Sequence, residues 1–174
     1  MSAKITRKAT VAEEPLPPDL EFKAMPGHLI RRLHQVSQAV FDVAFVTAGI
    51  DLTPVQYAAL VTIAARPGLD QATLANEIAF DRATTGGVID RLEAKGLVRR
   101  EVAPGDRRAR RLFAEARGVA LLEEIRPIVA RVQTSMLDGL NDAERQTLLQ
   151  LVSKALANSG PPSRARRRTA PSAS

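Results

Sequence analysis

Three helix N-caps, Thr53, Asp70 and Asp81, follow one another closely, and each opens a short apolar-periodic run with its own stop. Thr53-Pro54-Val55-Gln56 has the form of a capping box with proline in the first turn; Tyr57, Leu60, Val61, Ile63 and Ala64 continue the helix, and Pro67-Gly68 ends it. Asp70 caps a short helix carrying Leu74, Ala75 and Ile78, and Asp81 caps another from Arg82 to Lys95, stopped by Gly96. Only Phe80 and its neighbours separate these two. So tight a connection leaves room for a turn alone, which predicts a helix-turn-helix. Behind it, Leu97 to Val102, the turn Ala103-Pro104-Gly105-Asp106, and Arg107 to Ala114 read as strand, turn and strand. A β-hairpin directly after a helix-turn-helix is a wing.

Longer helices flank this unit. From Pro26 to about Ala48, Leu29, Leu33, Val36, Val40, Val43 and Ala44 recur at helical spacing, with Arg31, Gln35 and Asp42 between them. From about Ala116 to Gly139 the residues Val119, Leu122, Ile125, Val129, Val132, Met136 and Leu140 keep the same rhythm, with Pro127 placed to bend the helix. A last helix starts at Asn141, with Glu144 as its N3 partner, and carries Leu148, Leu149, Leu151, Val152, Ala155 and Leu156. Together these helices bring more apolar surface than a small winged unit covers. That predicts a dimerisation region, with a larger monomeric helical core as the alternative. The expected fold class is mainly α with a small β-wing: a winged helix-turn-helix plus a helical dimerisation region. The expected layout is a flexible or extended arm over 1–24, an N-terminal dimerisation helix over 25–50, the winged DNA-binding domain over 51–114, C-terminal dimerisation helices over 115–158, and a disordered basic tail over 159–174.

Charge is placed unevenly along the 174 residues. The formal net charge is +6, but residues 1–80 sum to −1, 81–111 to +4, 112–159 to −1 and 160–174 to +4. A basic segment inside a near-neutral folded region reads as a docking surface for a polyanion, or as a solvated charged face. The Pro-rich basic tail adds either sequence-independent attraction to phosphates or a solubilising end. With no cysteine, disulfide scaffolds, thiolate zinc sites and thiol switches are excluded. Two histidines, His28 and His34, leave little for a metal site or a catalytic triad, and no nucleophile–base pair or phosphate-cradling loop is present. The chain is therefore expected to have no enzymatic activity, cofactor or metal. Its longest apolar run, Ala58 to Ala65, is far short of the ~20 residues that cross a bilayer, and no apolar segment follows Lys4, Arg7 and Lys8. A cytoplasmic location without membrane contact is expected. Aromatics make up only 3% of the chain, too few for base-stacking platforms, so duplex groove reading is favoured over single strands.

In a helix-turn-helix the N-terminal part of the second helix enters the major groove. With Thr85, Val88, Ile89 and Leu92 turned inward, the outer side of Arg82–Lys95 presents Ala83, Gly86, Gly87 and Asp90, with Arg82, Arg91 and Thr84 at its margins. Arg82 and Thr84 are candidates for hydrogen bonds to bases or phosphates; Arg91 meets phosphate or an intramolecular acid. The Gly86-Gly87 pair either lets the helix approach DNA closely or packs against a neighbouring helix. At the wing, Pro104-Gly105 projects Arg107 and Arg108 outward, where arginine can read a narrow A·T-rich minor groove. Asp106 cannot favour phosphate and instead orients an arginine or caps the turn. Arg99, Arg100, Arg110 and Arg111 are either phosphate contacts or a solvated strand face, with about half expected at DNA.

These residues resemble the MarR family of bacterial transcriptional regulators. Leu52-Thr-Pro-Val-Gln-Tyr-Ala-Ala-Leu60 is similar to its second helix, Asp70-Gln-Ala-Thr-Leu-Ala75 to its third, and Asp81-Arg-Ala-Thr-Thr-Gly-Gly-Val-Ile-Asp-Arg-Leu-Glu-Ala-Lys-Gly-Leu-Val98 to its recognition helix. Asp106-Arg-Arg-Ala-Arg110 matches its wing. The resemblance spans roughly Pro26 to Leu156. It implies a homodimer that binds palindromic promoter DNA, usually as a repressor released by a small ligand such as an aromatic carboxylate. It also implies an effector crevice beside the first long helix, where Arg32, His34, Ser37 and Phe41 are the candidates: a cation beside an apolar stripe suits an aromatic acid. An interface histidine and a surface arginine are the plainer reading of the same positions. The chain departs from the family pattern at Ala114-Glu115, where Leu-Thr is frequent and threonine caps the next helix, and at Gly86 and Gly87, where larger residues are common. The rival functions are a ligand-independent architectural or RNA-binding winged-helix protein, and a module whose winged domain contacts protein.

Overall fold

The computed structural model describes residues 18–103 and 105–158. The order of elements is α1 (Pro18–Ala24), α2 (Pro26–Thr47), α3 (Pro54–Ala65), β1 (Leu69–Asp70), α4 (Gln71–Glu77), α5 (Arg82–Ala94), β2 (Val98–Ala103), β3 (Asp106–Ala114), α6 (Ala116–Ser135) and α7 (Asp142–Asn158). The chain forms two compact units that divide within α6, between Glu124 and Ile125.

In the first unit each helix starts where a side chain meets the orphan amides of its first turn. Thr53 Oγ1 accepts from the Gln56 N–H at 3.3 Å while Gln56 Oε1 accepts from the Thr53 N–H at 3.2 Å, the reciprocal pair of a capping box. Asp70 accepts from the Thr73 N–H at 2.8 Å, and Asp81 from those of Ala83 and Thr84 at 2.9 and 3.0 Å. Between α4 and α5 the chain turns through Ala79, at φ 58°, the one non-glycine residue with positive φ among those described. Its N–H and that of Phe80 close back on the Asn76 and Ala75 carbonyls. The core is the set of inward rows: Leu60 and Ile63 from α3, Leu74 from α4, Val88, Ile89 and Leu92 from α5, and Val98 and Leu112 from the sheet, all nearly inaccessible to solvent.

The wing is an antiparallel hairpin in which Val98 faces Ala114 and Arg100 faces Leu112, with an irregularity at Val102/Ala103 before the turn and Gly105 at φ 85°. A third strand, not anticipated from the sequence, sits on its other edge: Leu69 and Asp70 pair with Leu112 and Arg111, so β3 is central. Two residues are too few to show a period of two, and only the Gly68 N–H bonded to the Leu112 carbonyl at 2.8 Å carries the register further.

Part of the arm expected over 1–24 is helical. Residues 18–24 form α1, whose Phe22 ring lies 4.6 Å from the His28 ring of α2, a contact that a proline-based reading of the segment misses. Residues 1–17 and 159–174, with the rest of the arm and the basic tail, lie outside the described residues. At the other end of the unit, Glu115 does not cap α6 through its side chain, which reaches Arg99 at 3.8 Å instead; its N–H donates to the Leu97 carbonyl at 2.9 Å.

In the second unit α6 runs through Pro127 without a break, burying Ile125, Val129 and Val132. It ends at Ser135 rather than near Gly139. The following turns bond Leu137 to Thr134 and Leu140 to Leu137, and α7 begins with a second capping box, in which Asn141 and Glu144 exchange bonds of 2.8 and 3.1 Å.

Candidate nucleic-acid interface

Helix α5 is anchored along one side and open along the other. Thr85, Val88, Ile89 and Leu92 are at most 2% exposed, and the Thr85 hydroxyl, which would be costly to bury unpaired, donates to the Asp81 carbonyl at 2.8 Å. On the opposite side Arg82, Ala83, Thr84, Asp90 and Arg91 are exposed, and Gly86 and Gly87 half-buried. Neither Arg82 nor Arg91 forms an ion pair with a described residue. Gln71 of α4 donates to the Arg82 carbonyl at 3.0 Å and so fixes the first turn of α5 against its neighbour.

The two glycines now separate. A β-carbon on Gly86 would lie 3.1 Å from Gln71 Nε2, whereas one on Gly87 would meet nothing within 4 Å. Packing inside the chain therefore gives no reason for Gly87, which lowers the helix propensity of α5 by about 1 kcal/mol relative to alanine. Gly87→Ala is expected to raise unfolding free energy by up to ~1 kcal/mol in a urea titration.

Asp81 holds the helix start. The Thr84 hydroxyl, at 2.6 Å, and then the Thr84 and Ala83 amides keep its carboxyl below the usual carboxylate range; Asp70 is lowered in the same way, chiefly by the Thr73 amide. The Thr84 hydroxyl proton is thus engaged in the cap, leaving its oxygen to accept. Since the folded-state pKa values are depressed, this stabilisation is complete above the unfolded carboxylate pKa of about 4 and is lost as pH falls through the lower folded values. Asp81→Asn should therefore flatten the fall in stability between neutral and acid pH, as read by denaturant melts at a series of pH values.

In the wing, β3 carries Asp106, Arg107, Arg108 and Arg110 on its backbone, with Arg110 and Arg111 exposed; the side chains of 106–109 lie outside the described residues. Arg99 and Arg100 of β2 are committed internally. Arg99 pairs with Glu101 at 2.7 Å and lies 4.8 Å over the Phe113 ring, while Arg100 binds Asp90 at 2.5 Å and Glu93. Both stand among the possible phosphate contacts when read from sequence: nothing local marks the α5 partners of Arg100, and Glu101 is an acid that Arg99 meets only because both lie along one extended strand.

The four effector candidates all lie on α2. Arg32 and His34 are exposed, Ser37 is half-buried, and Phe41 is buried in an aromatic cluster, 3.9 Å from Phe45 and 5.7 Å from Tyr57 between ring centroids. Reading the sequence alone misses Phe45 and Tyr57 as its partners; the i, i+4 spacing of Phe41 and Phe45 is the signal that could have found the first of them. A separate cavity of about 340 Å³, lined by Ile50, Asp51, Lys95, Leu97, Arg117 and Leu121 among others, takes none of these four. Its cations are occupied: Lys95 Nζ binds the Asp51 carboxylate at 2.9 Å and Gln56 Oε1 at 3.3 Å, and Arg117 donates to the Lys95 carbonyl at 3.0 Å. Among the described residues no helix is long and apolar enough to cross a membrane.

Comparison with known proteins gives this arrangement its family. The profile of the MarR family matches residues 50–109, from the loop before α3 into the wing. The chain is 30% identical to the HTH-type transcriptional repressor NicR of Pseudomonas putida over 155 residues, 87% of this chain and 96% of that one. Among solved structures it is similar to BpsR of Bordetella bronchiseptica, whose DNA binding is regulated by 6-hydroxynicotinic acid, with 31% identity, 80% of this chain and 97% of that one covered, and a TM-score of 0.73. It is also similar to the transcriptional repressor CouR bound to a 23-mer DNA duplex, with 26% identity, coverage of 83% and 99%, and a TM-score of 0.71. An element order that places a capped recognition helix directly before a basic hairpin, matched along nearly the whole length of these regulators, makes the chain a member of the MarR family of DNA-binding transcriptional regulators.

Proposed function

We propose that the chain acts as a homodimeric repressor that binds palindromic promoter duplexes and is released from them by a small aromatic carboxylate. The observation that carries the DNA part is the open side of α5: a helix whose inner row is locked in the core while Arg82, Ala83, Thr84 and Arg91 face solvent. A cation in the first turn opposes the helix macrodipole, so Arg82, which attracts the Asp70 carboxylate but forms no ion pair with a described residue, suits an external phosphate or base. Gly87, beside the Gly86 that packs against Gln71, lets the backbone approach the groove, and Arg107, Arg108 and Arg110 extend contact to the minor groove and backbone, with Asp106 orienting the arginines.

The dimer reading rests on apolar stripes that a single chain leaves in water. On α2, Leu29, Val36 and Val43 recur at intervals of seven and are each about half exposed or more; on α7, Leu149, Val152 and Leu156 form a second stripe. A second copy of the chain covers these stripes and sets two recognition helices against two half-sites.

For the effector, His34, Ser37 and Phe41 share one stripe of α2, with Arg32 on its other flank. They would hold a carboxylate beside an aromatic wall, and the ligand named for BpsR is of that class. A ligand of this kind releases DNA only if it binds the DNA-competent arrangement less well than the alternative. Binding of the chain to its own upstream duplex, followed by fluorescence anisotropy with and without 6-hydroxynicotinic acid and simple benzoates, tests the reading. Release by at least one of them is expected; binding that no aromatic acid alters, together with equal affinity for random duplex or RNA, would favour the architectural alternative.

A further inference from the structure

The outer row of α5 contains a charge of the wrong sign. Ala83, Gly86, Gly87 and Asp90 follow one another at helical spacing, so the Asp90 carboxylate, two-thirds exposed, stands in line with the residues proposed to meet DNA. An unpaired carboxylate there would repel phosphate. It is not unpaired: Arg100 reaches across from β2 with Nη2 at 2.5 Å from Asp90 Oδ1 and Nη1 on Glu93 Oε2, while the Arg100 N–H donates to Glu93 Oε1 at 3.3 Å. The Arg100 side chain is only 24% exposed, and its guanidinium is shared between the two acids. Its planar fork suits two carboxylates one helical turn apart, which the single ammonium of a lysine could not grip in the same way.

From this geometry we infer that Arg100 is a positioning residue for DNA recognition rather than a phosphate contact. It neutralises Asp90 on the groove-facing side and ties the recognition helix to the first strand of the wing, so that both reach DNA in one fixed relation. The inference rests on the reading that α5 and the wing meet duplex DNA. Arg91, one position further along α5 and unpaired among described residues, has the opposite assignment and serves as the internal comparison.

The test uses the full chain and a duplex from its own upstream region, with affinity measured across a salt series for wild type, Arg100→Gln, Asp90→Asn/Arg100→Gln and Arg91→Gln. Thermal melts identify the temperature at which every variant is folded, and binding is measured there. Arg100→Gln is expected to bind about 10-fold to 100-fold more weakly, because one charge is removed and the Asp90 carboxylate is left unneutralised in the DNA-facing row. In Asp90→Asn/Arg100→Gln the affinity returns to within a few-fold of wild type, and the slope of log affinity against log salt equals that of wild type. Arg91→Gln instead makes the slope shallower by about 0.9 for each phosphate that the arginine neutralised. If the double variant stays as weak as Arg100→Gln with a shallower slope, Arg100 touches phosphate and the inference is overturned; wild-type affinity in Arg100→Gln overturns it equally. A wild-type chain that binds no duplex overturns the DNA reading first and the inference with it.

Discussion

Gly118→Ala is expected to cost about 3 kcal/mol or more, or to prevent the first unit from folding, because it forces a methyl group into backbone. A β-carbon at this position would lie 2.3 Å from the Leu97 carbonyl oxygen and 3.1 Å from Leu60 Cδ1. Neither can yield: Leu60 is fully buried, and the Leu97 carbonyl also accepts the Glu115 N–H that sets the start of α6. Gly118 is helical, so its value lies in the missing side chain and not in backbone freedom. It is the counterpart of Gly87, where the added methyl meets open space and the expected effect on stability has the opposite sign. Equilibrium urea unfolding of the two alanine variants beside the wild type measures both. A Gly118→Ala chain with wild-type stability would mean that α6 does not cross Leu97 as closely as described.

The second large effect concerns assembly. Leu149→Glu combined with Leu156→Glu places two charges on the α7 stripe, where the wild-type side chains are 60% and 68% exposed in the single chain. Exposed positions tolerate glutamate in the isolated protomer, so each chain should stay folded. Covered by a second copy, the same positions would bury unpaired carboxylates, which is strongly unfavourable. Sedimentation is expected to show half the wild-type mass, and affinity for the upstream duplex should fall by about 10²-fold or more, since linked binding of two half-sites is abolished. A wild-type chain that sediments as a monomer, or a variant that keeps the wild-type mass, would contradict the dimer.

What the sequence made legible was local. The caps at Thr53, Asp70, Asp81 and Asn141 are short-range patterns with one physical solution, and the inward row Thr85, Val88, Ile89 and Leu92 follows from helical period alone. Features made by chain segments far apart were not legible. Strand β1 exists only because Leu69 and Asp70 reach the distant β3; the end of α6 at Ser135 is instead local, set by turns between residues 134 and 140 that the apolar rhythm runs straight through. Arg100 looks like its neighbours in a basic run, yet its acidic partners Asp90 and Glu93 are set by how α5 packs on β2, whereas Arg99 finds Glu101 two residues along its own strand. The division of Gly86 from Gly87 has the same origin, since Gln71 stands beside one and nothing beside the other. For the effector candidates, periodicity places all four on one helix, while the burial of Phe41 against Phe45 and Tyr57 required the packing of α2.

If α5 and the wing together read duplex DNA, as proposed, binding must depend both on the duplex sequence and on salt. The chain is titrated with its own upstream duplex and with a random duplex of equal length, from low to physiological salt, beside an Arg108→Ala variant. Tighter binding to the upstream duplex is expected, with a steep fall of affinity with salt and a slope in Arg108→Ala shallower by about 0.9 for each phosphate that Arg108 neutralises. Equal affinity for the two duplexes, or binding that does not respond to salt, would contradict that reading.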